Sequence, residues 1–211
     1  MLYPLLKSRS LYFIMVFLPV VLMAQVMGME AQQLASIIPL SVSVVGVITG
    51  LLSTSMVRIP PIFTDYLIVL IGAKNLIKYI LVVNALLCLV VVSITEIILT
   101  MLMATMSLSI DLLSMVFGLL IAVLVSELTG ILLMLGSTFG FSIMLITSLI
   151  QPLILRFIIS VWHITTNALA ISLVLVYAVP LLSINFLIIL TPEKKLRIHL
   201  AKISKSSRTY M

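Results

Sequence analysis

Residues Leu76–Leu99 have the sequence LIKYILVVNALLCLVVVSITEIIL, which is the clearest indication of the fold class of this chain. The stretch is long enough to cross a bilayer as a helix, which needs about 20 apolar residues at a rise of about 1.5 Å each. Its centre, Ile80–Val92, is apolar at every position except Asn84, without the alternation that marks a membrane β-strand. The stretch therefore predicts a transmembrane α-helix.

The composition of the whole chain supports the same class. Of 211 residues 63% are hydrophobic and 9% are charged, where a soluble domain carries roughly 25% charged residues. The mean hydropathy is +1.40. These values exclude a soluble domain and a disordered chain, and the single Cys88 excludes an internal disulfide.

The predicted fold is all-α, a polytopic membrane helix bundle of about six transmembrane helices. Residues 1–10 precede the bundle, residues 11–190 form it, and residues 191–211 form a basic tail. A signal peptide is the alternative for the first span, but its length and the lack of a small-x-small cleavage site favour a retained helix. The predicted spans are Leu11–Met27, Leu34–Val57, Leu76–Leu99, Leu112–Leu135, Phe139–Ser160 and Thr165–Leu190. Glycines spaced four apart favour close helix packing at two places, Gly46 with Gly50 and Gly136 with Gly140.

The Lys and Arg residues predict the orientation. With six spans, all of the 12 Lys and Arg residues except Arg156 fall on the side of the two termini. By the positive-inside rule both termini are then cytoplasmic, in a plasma-membrane protein with an even number of spans. Four spans with re-entrant segments give a similar distribution.

The residues that carry catalysis in other proteins are sparse. His163 and His199 fall on opposite sides of the membrane, which excludes a haem held by two histidines. No cluster of Cys, His and carboxylates suits a metal, and no phosphate-binding loop ending in Gly-Lys-Ser/Thr occurs. We therefore expect no enzymatic activity, no cofactor and no metal, and no nucleic-acid binding.

Two carboxylates, Glu96 and Glu127, fall inside predicted spans and form a possible intramembrane polar site. Their predicted depths differ by about 10–20 Å, too far for a direct contact. In one interpretation Glu96 reaches the outer interface, and Glu127 is satisfied by Ser126, Thr129 or a neighbouring helix. In the other, the carboxylates belong to a proton path.

Two segments on the predicted cytoplasmic side are predicted to form amphipathic helices. Residues Arg58–Lys78 begin with the helix-stopping sequence RIPP and include Ile62–Ile71, which is apolar but too short to cross. An interfacial or partner-docking helix fits this segment best. The basic tail Glu193–Arg208 places Leu196, Leu200 and Ile203 at helical spacing, which suits either contact with anionic lipid or docking on a partner.

The first of these segments carries a family resemblance. The tract Phe63-Thr64-Asp65-Tyr66-Leu67, followed by Gly72-Ala73-Lys74, resembles the coupling helix of the type-two export permease family of ATP-binding-cassette exporters. The tract Gln151–Thr166 resembles the short re-entrant outer helices of that family. The chain departs from the family in that Thr64 lacks the preceding Gly.

The resemblance implies a permease subunit that forms a translocation pathway with a second permease copy or homologue. It implies that a separate nucleotide-binding ATPase subunit docks on a coupling site, formed by Thr64, Asp65, Tyr66, Leu67 and Lys74. The alternative is a structural or anchoring subunit of a larger respiratory or secretory membrane complex. A small secondary carrier is a further alternative. The sequence does not indicate a substrate.

Overall fold

A computed structural model describes residues 45–50, 61–105, 112–135, 151, 154, 157 and 166–206, without the side chains at 61–65, 99, 102, 103, 133, 166, 167 and 201–206. Within these ranges the chain is almost entirely helical and contains no strand. Residues 45–50 are helical, and the bounded helices are α1 (Pro61–Ile71), α2 (Ala73–Thr105), α3 (Leu112–Met134), α4 (Thr166–Leu190) and α5 (Glu193–Ser206).

Three of the described helices are long and apolar enough to cross a membrane. They contain the stretches Ala73–Ile98, Leu112–Leu132 and Ala168–Leu190. The all-α class is thereby confirmed, and the protein is membrane-embedded. The predicted spans Leu76–Leu99, Leu112–Leu135 and Thr165–Leu190 coincide with these helices, whereas the count of six spans stays a prediction.

The other predicted spans fall largely outside the described residues. Leu11–Met27 and the N-terminal residues 1–10 lie outside them entirely. Leu34–Val57 is described only at 45–50, and Phe139–Ser160 only at Gln151, Ile154 and Phe157, all of which are helical.

Helix α2 is longer than the predicted span at both ends. Lys74 and Asn75 were expected before the helix and instead lie in its first turn. Their side chains donate hydrogen bonds to free carbonyl groups at the ends of other helices. Asn75 Nδ2 donates to the carbonyl of Ile71 at the end of α1 over 3.0 Å, and Lys74 Nζ donates to the carbonyl of Ile189 near the end of α4 over 2.6 Å. At its other end α2 continues beyond Leu99 to Thr105.

Helix α3 packs against both α2 and α4. It is antiparallel to α2, since Ser126 contacts Asn84 near one end and Met115 contacts Thr100 near the other. It is parallel to α4, since Leu169 shares a buried cluster with Ile121 and Ile188 shares another with Met134.

Two glycines let residues 45–50 approach the backbone of α3. A Cβ added to Gly46 would overlap the Ala122 backbone, and one added to Gly50 would lie 2.7 Å from the Ser126 carbonyl oxygen. The predicted role of Gly46 and Gly50 in close helix packing is thereby confirmed, whereas Gly136 and Gly140 lie outside the described residues.

The ends of α3 and α4 meet α1 and α5 at what we call the basic end of the bundle, where Lys74, Lys78, Lys194, Lys195 and Arg197 lie. Helix α1 is separated from α2 by Gly72, whose φ is 85°. A side chain disfavours this left-handed conformation, so glycine suits the junction. Helix α5 buries Leu196 and Leu200 in a cluster with Ile68, Leu76 and Ile77.

Candidate functional site

A stripe of buried residues runs along the face of α2 that packs on α3. Asn84, Cys88, Val92 and Glu96 follow each other at intervals of four, and each is less than a tenth exposed. This spacing places them on one side of a helix. Three of the four carry polar or ionisable groups, so polar side chains line this part of the seam between α2 and α3.

Hydrogen bonds join three helical segments across this seam. The hydroxyls of Thr49 and Ser126 lie 2.8 Å apart, Ser126 Oγ donates to Asn84 Oδ1 over 3.0 Å, and Asn84 Nδ2 donates to Glu127 Oε1 over 3.3 Å. We call these four residues the polar network. Thr49, Asn84 and Ser126 are buried, and Glu127 is half-buried. Hydrogen bonds between membrane helices are worth about 0.6 kcal/mol on average and up to about 1.7. The network therefore fixes the relative positions of residues 45–50, α2 and α3.

Chemically, the polar network offers one carboxylate supported by an amide and two hydroxyls. Such a set can hold and pass a proton, because carboxylates and hydroxyls both donate and accept when protonated. The thiol of Cys88 lies beside Thr49 and Ser126. The hydroxyl of Thr129 is fully buried and has no hydrogen-bond partner among the described residues. Among these residues no group of three or more Cys, His, Asp and Glu could hold a metal.

The other carboxylate, Glu96, lies apart from the network. It is only 7% exposed, and its Oε1 has no hydrogen-bond partner among the described residues. Along α2 it lies roughly 18 Å from Asn84, so it cannot join Glu127 directly, as its predicted depth indicated. Glu96 lies near the Ile98 end of the candidate span Ala73–Ile98, and its side chain is buried. Its predicted reach to the outer interface stays a prediction, and Arg156, the one basic residue predicted on that side, lies outside the described residues.

The expected coupling residues are divided among different environments. Thr64 and Asp65 lie in α1, but their side chains lie outside the described ones. Tyr66 is 60% exposed on the surface of α1, while Leu67 packs against the buried cluster of the basic end. Lys74 is half-buried and bonded to Ile189, so it stabilises the end of α4. Of the three described side chains only Tyr66 is free to meet a partner.

Helices α1 and α5, which we call the platform, contact the long helices at the basic end through hydrogen bonds and apolar packing. Glu193 Oε1 accepts a hydrogen bond from the backbone nitrogen of Ala73 over 2.5 Å. This nitrogen is one of the unpaired donors at the start of α2, and a negative charge there also favours the helix dipole. Helix α5 also contacts the end of α3, because His199 Nε2 lies 2.9 Å from the carbonyl oxygen of Leu135.

The sequence interpretation named Ser126, Thr129 or a neighbouring helix as partners of Glu127, and the partner is Asn84 on α2. Asn84 is the one polar residue in Ile80–Val92, which was a signal for this role. The capping role of Glu193 had no comparable signal, because it depends on which helix start α5 reaches in the folded protein.

Comparison of the chain with protein-family models, curated proteins and solved structures finds no match.

Proposed function

We propose that the chain is the membrane permease subunit of an ATP-driven exporter in the plasma membrane. A second permease copy or homologue completes the pathway, and a separate nucleotide-binding ATPase docks on the platform. The observation that carries this proposal is helix α1, which is short, separate from the helix that follows it, and packed against the rest of the basic end.

The connections of α1 suit it to transmit a movement. It continues into α2 through the backbone of Gly72, which accepts a hydrogen bond from the Leu76 nitrogen over 3.0 Å. It packs on α5, which is bonded to the start of α2 through Glu193. A force applied to α1 therefore reaches α2 and α4 together, and packed helices shift as units rather than deform continuously.

The surface of α1 suits it to bind a protein. Tyr66, Val69 and Leu70 lie on one side of the helix and are 60%, 74% and 63% exposed. Aromatic and aliphatic side chains grouped in this way are typical of the centre of protein interfaces.

The test is to purify the tagged protein in mild detergent and to identify its partners by mass spectrometry. We expect an ATPase in stoichiometric amount with the wild type. The variant Tyr66→Ala should weaken its docking by about 2 kcal/mol, roughly thirty-fold in affinity. Tyr79→Ala is the matched control, because Tyr79 is 65% exposed but lies on α2. Recovery of other membrane subunits without an ATPase would contradict the proposal and support a structural subunit.

A second candidate, a proton-coupled carrier, is favoured by the bonding of Glu127 into the polar network. The variant Glu127→Gln keeps an oxygen acceptor for Asn84 but cannot exchange a proton. For a carrier we expect Glu127→Gln to insert normally and to lose transport driven by a proton gradient. An ATP-driven permease should keep its transport in this variant.

A further inference from the structure

A groove lies at the basic end, where α3 and α4 end and α5 crosses beside them. Its volume is about 370 Å³. Leu132 and Leu135 of α3 form one side, Ile184 and Leu187 of α4 form the other, and Lys195 and His199 of α5 lie at its rim. The groove is open on one side, and Leu187 is 62% exposed there.

The groove is divided into an apolar part and a cationic part. The walls from α3 and α4 are aliphatic, whereas α5 supplies an ammonium group and an imidazole one turn apart. Because a carbonyl oxygen can only accept, His199 Nε2 donates to Leu135, which holds the ring at the rim. In the imidazolium form of His199 the Nδ1 also carries a hydrogen and can donate to an anion. Among the described residues no carboxylate lines the groove, and the nearby Glu193 is bonded to Ala73 instead.

The position of the groove matches the edge of a bilayer. The apolar spans of α3 and α4 end at Leu132 and Leu190, so the groove lies where hydrocarbon gives way to headgroups. A ligand at this depth has an apolar body toward α3 and α4 and a negative charge toward α5. Those are the properties of an anionic phospholipid, whose phosphate attracts basic side chains at the membrane surface.

We propose that this groove binds one anionic phospholipid, with an acyl chain between α3 and α4 and the phosphate on Lys195 and His199. The remainder of the lipid stays in the surrounding bilayer through the open side. This site does not depend on the proposed transport function, and it narrows the general attraction of a basic tail for anionic lipid to a single pocket.

The test is native mass spectrometry of the purified protein after exchange into detergent with phosphatidylglycerol or with phosphatidylcholine of the same chains. We expect one retained phosphatidylglycerol and at least fivefold less phosphatidylcholine. Lys195→Ala should lower phosphatidylglycerol retention at least fivefold. Lys194→Ala is the matched control, because it removes the same charge from the neighbouring exposed residue, which does not line the groove.

A second pair of variants tests the apolar part. Leu187→Trp should fill the groove and reduce retention, whereas Leu182→Trp, at a 68% exposed position of α4 outside the groove, should not. The exposure of both positions lets the fold accept the larger side chain. Equal losses from Lys194→Ala and Lys195→Ala, or equal retention of the two lipids, would overturn the proposal. So would unchanged retention in Leu187→Trp.

Discussion

The carboxylate of Glu193 caps the helix that begins at Ala73, although the two residues are 120 positions apart in the chain. The same carboxylate lies 3.6 Å from Arg197 Nε on the next turn of α5, a largely exposed pair that contributes little by itself. Of these two polar contacts, the one to Ala73 joins α5 to α2, and it connects the start of the last described helix to the start of the first long one.

Removal of this cap should loosen α5. Glu193→Ala leaves the Ala73 nitrogen without its acceptor, and loss of a helix cap costs about 1 kcal/mol. We expect hydrogen exchange of the α5 amides to rise about fivefold in detergent, measured by mass spectrometry. Glu193→Gln keeps an oxygen acceptor and should fall between the alanine variant and the wild type. Identical exchange in all three proteins would show that Glu193 does not hold α5.

The junction at Gly72 should not tolerate alanine. Its φ of 85° costs an L-residue about 1 kcal/mol or more, and a Cβ there would lie 3.1 Å from Glu193 Oε1. We expect Gly72→Ala to lower the midpoint of thermal unfolding by about 2–4 °C. Gly72→Asn introduces the same Cβ but accepts a positive φ more readily. A smaller loss with asparagine would assign the effect to backbone conformation, and an equal loss would assign it to the contact with Glu193.

The close approach of residues 45–50 to α3 should make Gly46 sensitive to one methyl group. The Cβ of Gly46→Ala would overlap the backbone of Ala122, which cannot move aside as a side chain could. Overpacking of this kind costs about 1–3 kcal/mol. We expect Gly46→Ala to unfold at a lower concentration of a denaturing detergent than the wild type does.

Gly130→Ala provides the control for Gly46→Ala. Its Cβ would lie 3.4 Å from Asn84 Nδ2, an ordinary van der Waals distance. We expect its unfolding midpoint to stay close to that of the wild type. Equal destabilisation by the two variants would contradict the packing described for residues 45–50.

The polar network should behave as one unit in a double-mutant cycle. Asn84→Ala and Ser126→Ala each remove the same hydrogen bond, so we expect a coupling free energy of about 0.6–1.7 kcal/mol between them. The measurement is the free energy of unfolding for the wild type, the two single variants and the double variant. Ser183→Ala provides the control, because Ser183 donates to Val179 within its own helix and should add to Asn84→Ala without coupling. Additive changes in the free energy of unfolding for Asn84→Ala and Ser126→Ala would contradict the hydrogen bond between the two residues.

Much of the described fold could be predicted from the sequence. The apolar stretches predicted α2, α3 and α4, since a membrane helix is recognised from length and hydropathy alone. The RIPP sequence and the short length of Ile62–Ile71 predicted that α1 is not a span. The boundaries of α2 were less accurate, because polar residues at its start are stabilised by the free carbonyls of α1 and α4.

The candidate site was only partly predictable. Glu127 was expected to find a partner on a neighbouring helix, and the glycine spacing indicated where helices come close. The identity of the partner, Asn84, depends on the register between α2 and α3, and a shift of one residue would turn Asn84 away from the seam.

The amino-acid sequence was enough to predict a membrane protein made of α-helices, because burial in hydrocarbon depends on the summed hydropathy of each segment and not on its neighbours. The spacing of Gly46 and Gly50 and the positions of the basic residues also predicted close helix packing and a basic end. The pairing of the polar groups, in contrast, follows from the tertiary structure alone. Thr49 meets Ser126, Asn84 meets Glu127, and Glu193 meets Ala73 because hydrogen bonds act over about 3 Å, and only the packing of the helices brings distant residues so close.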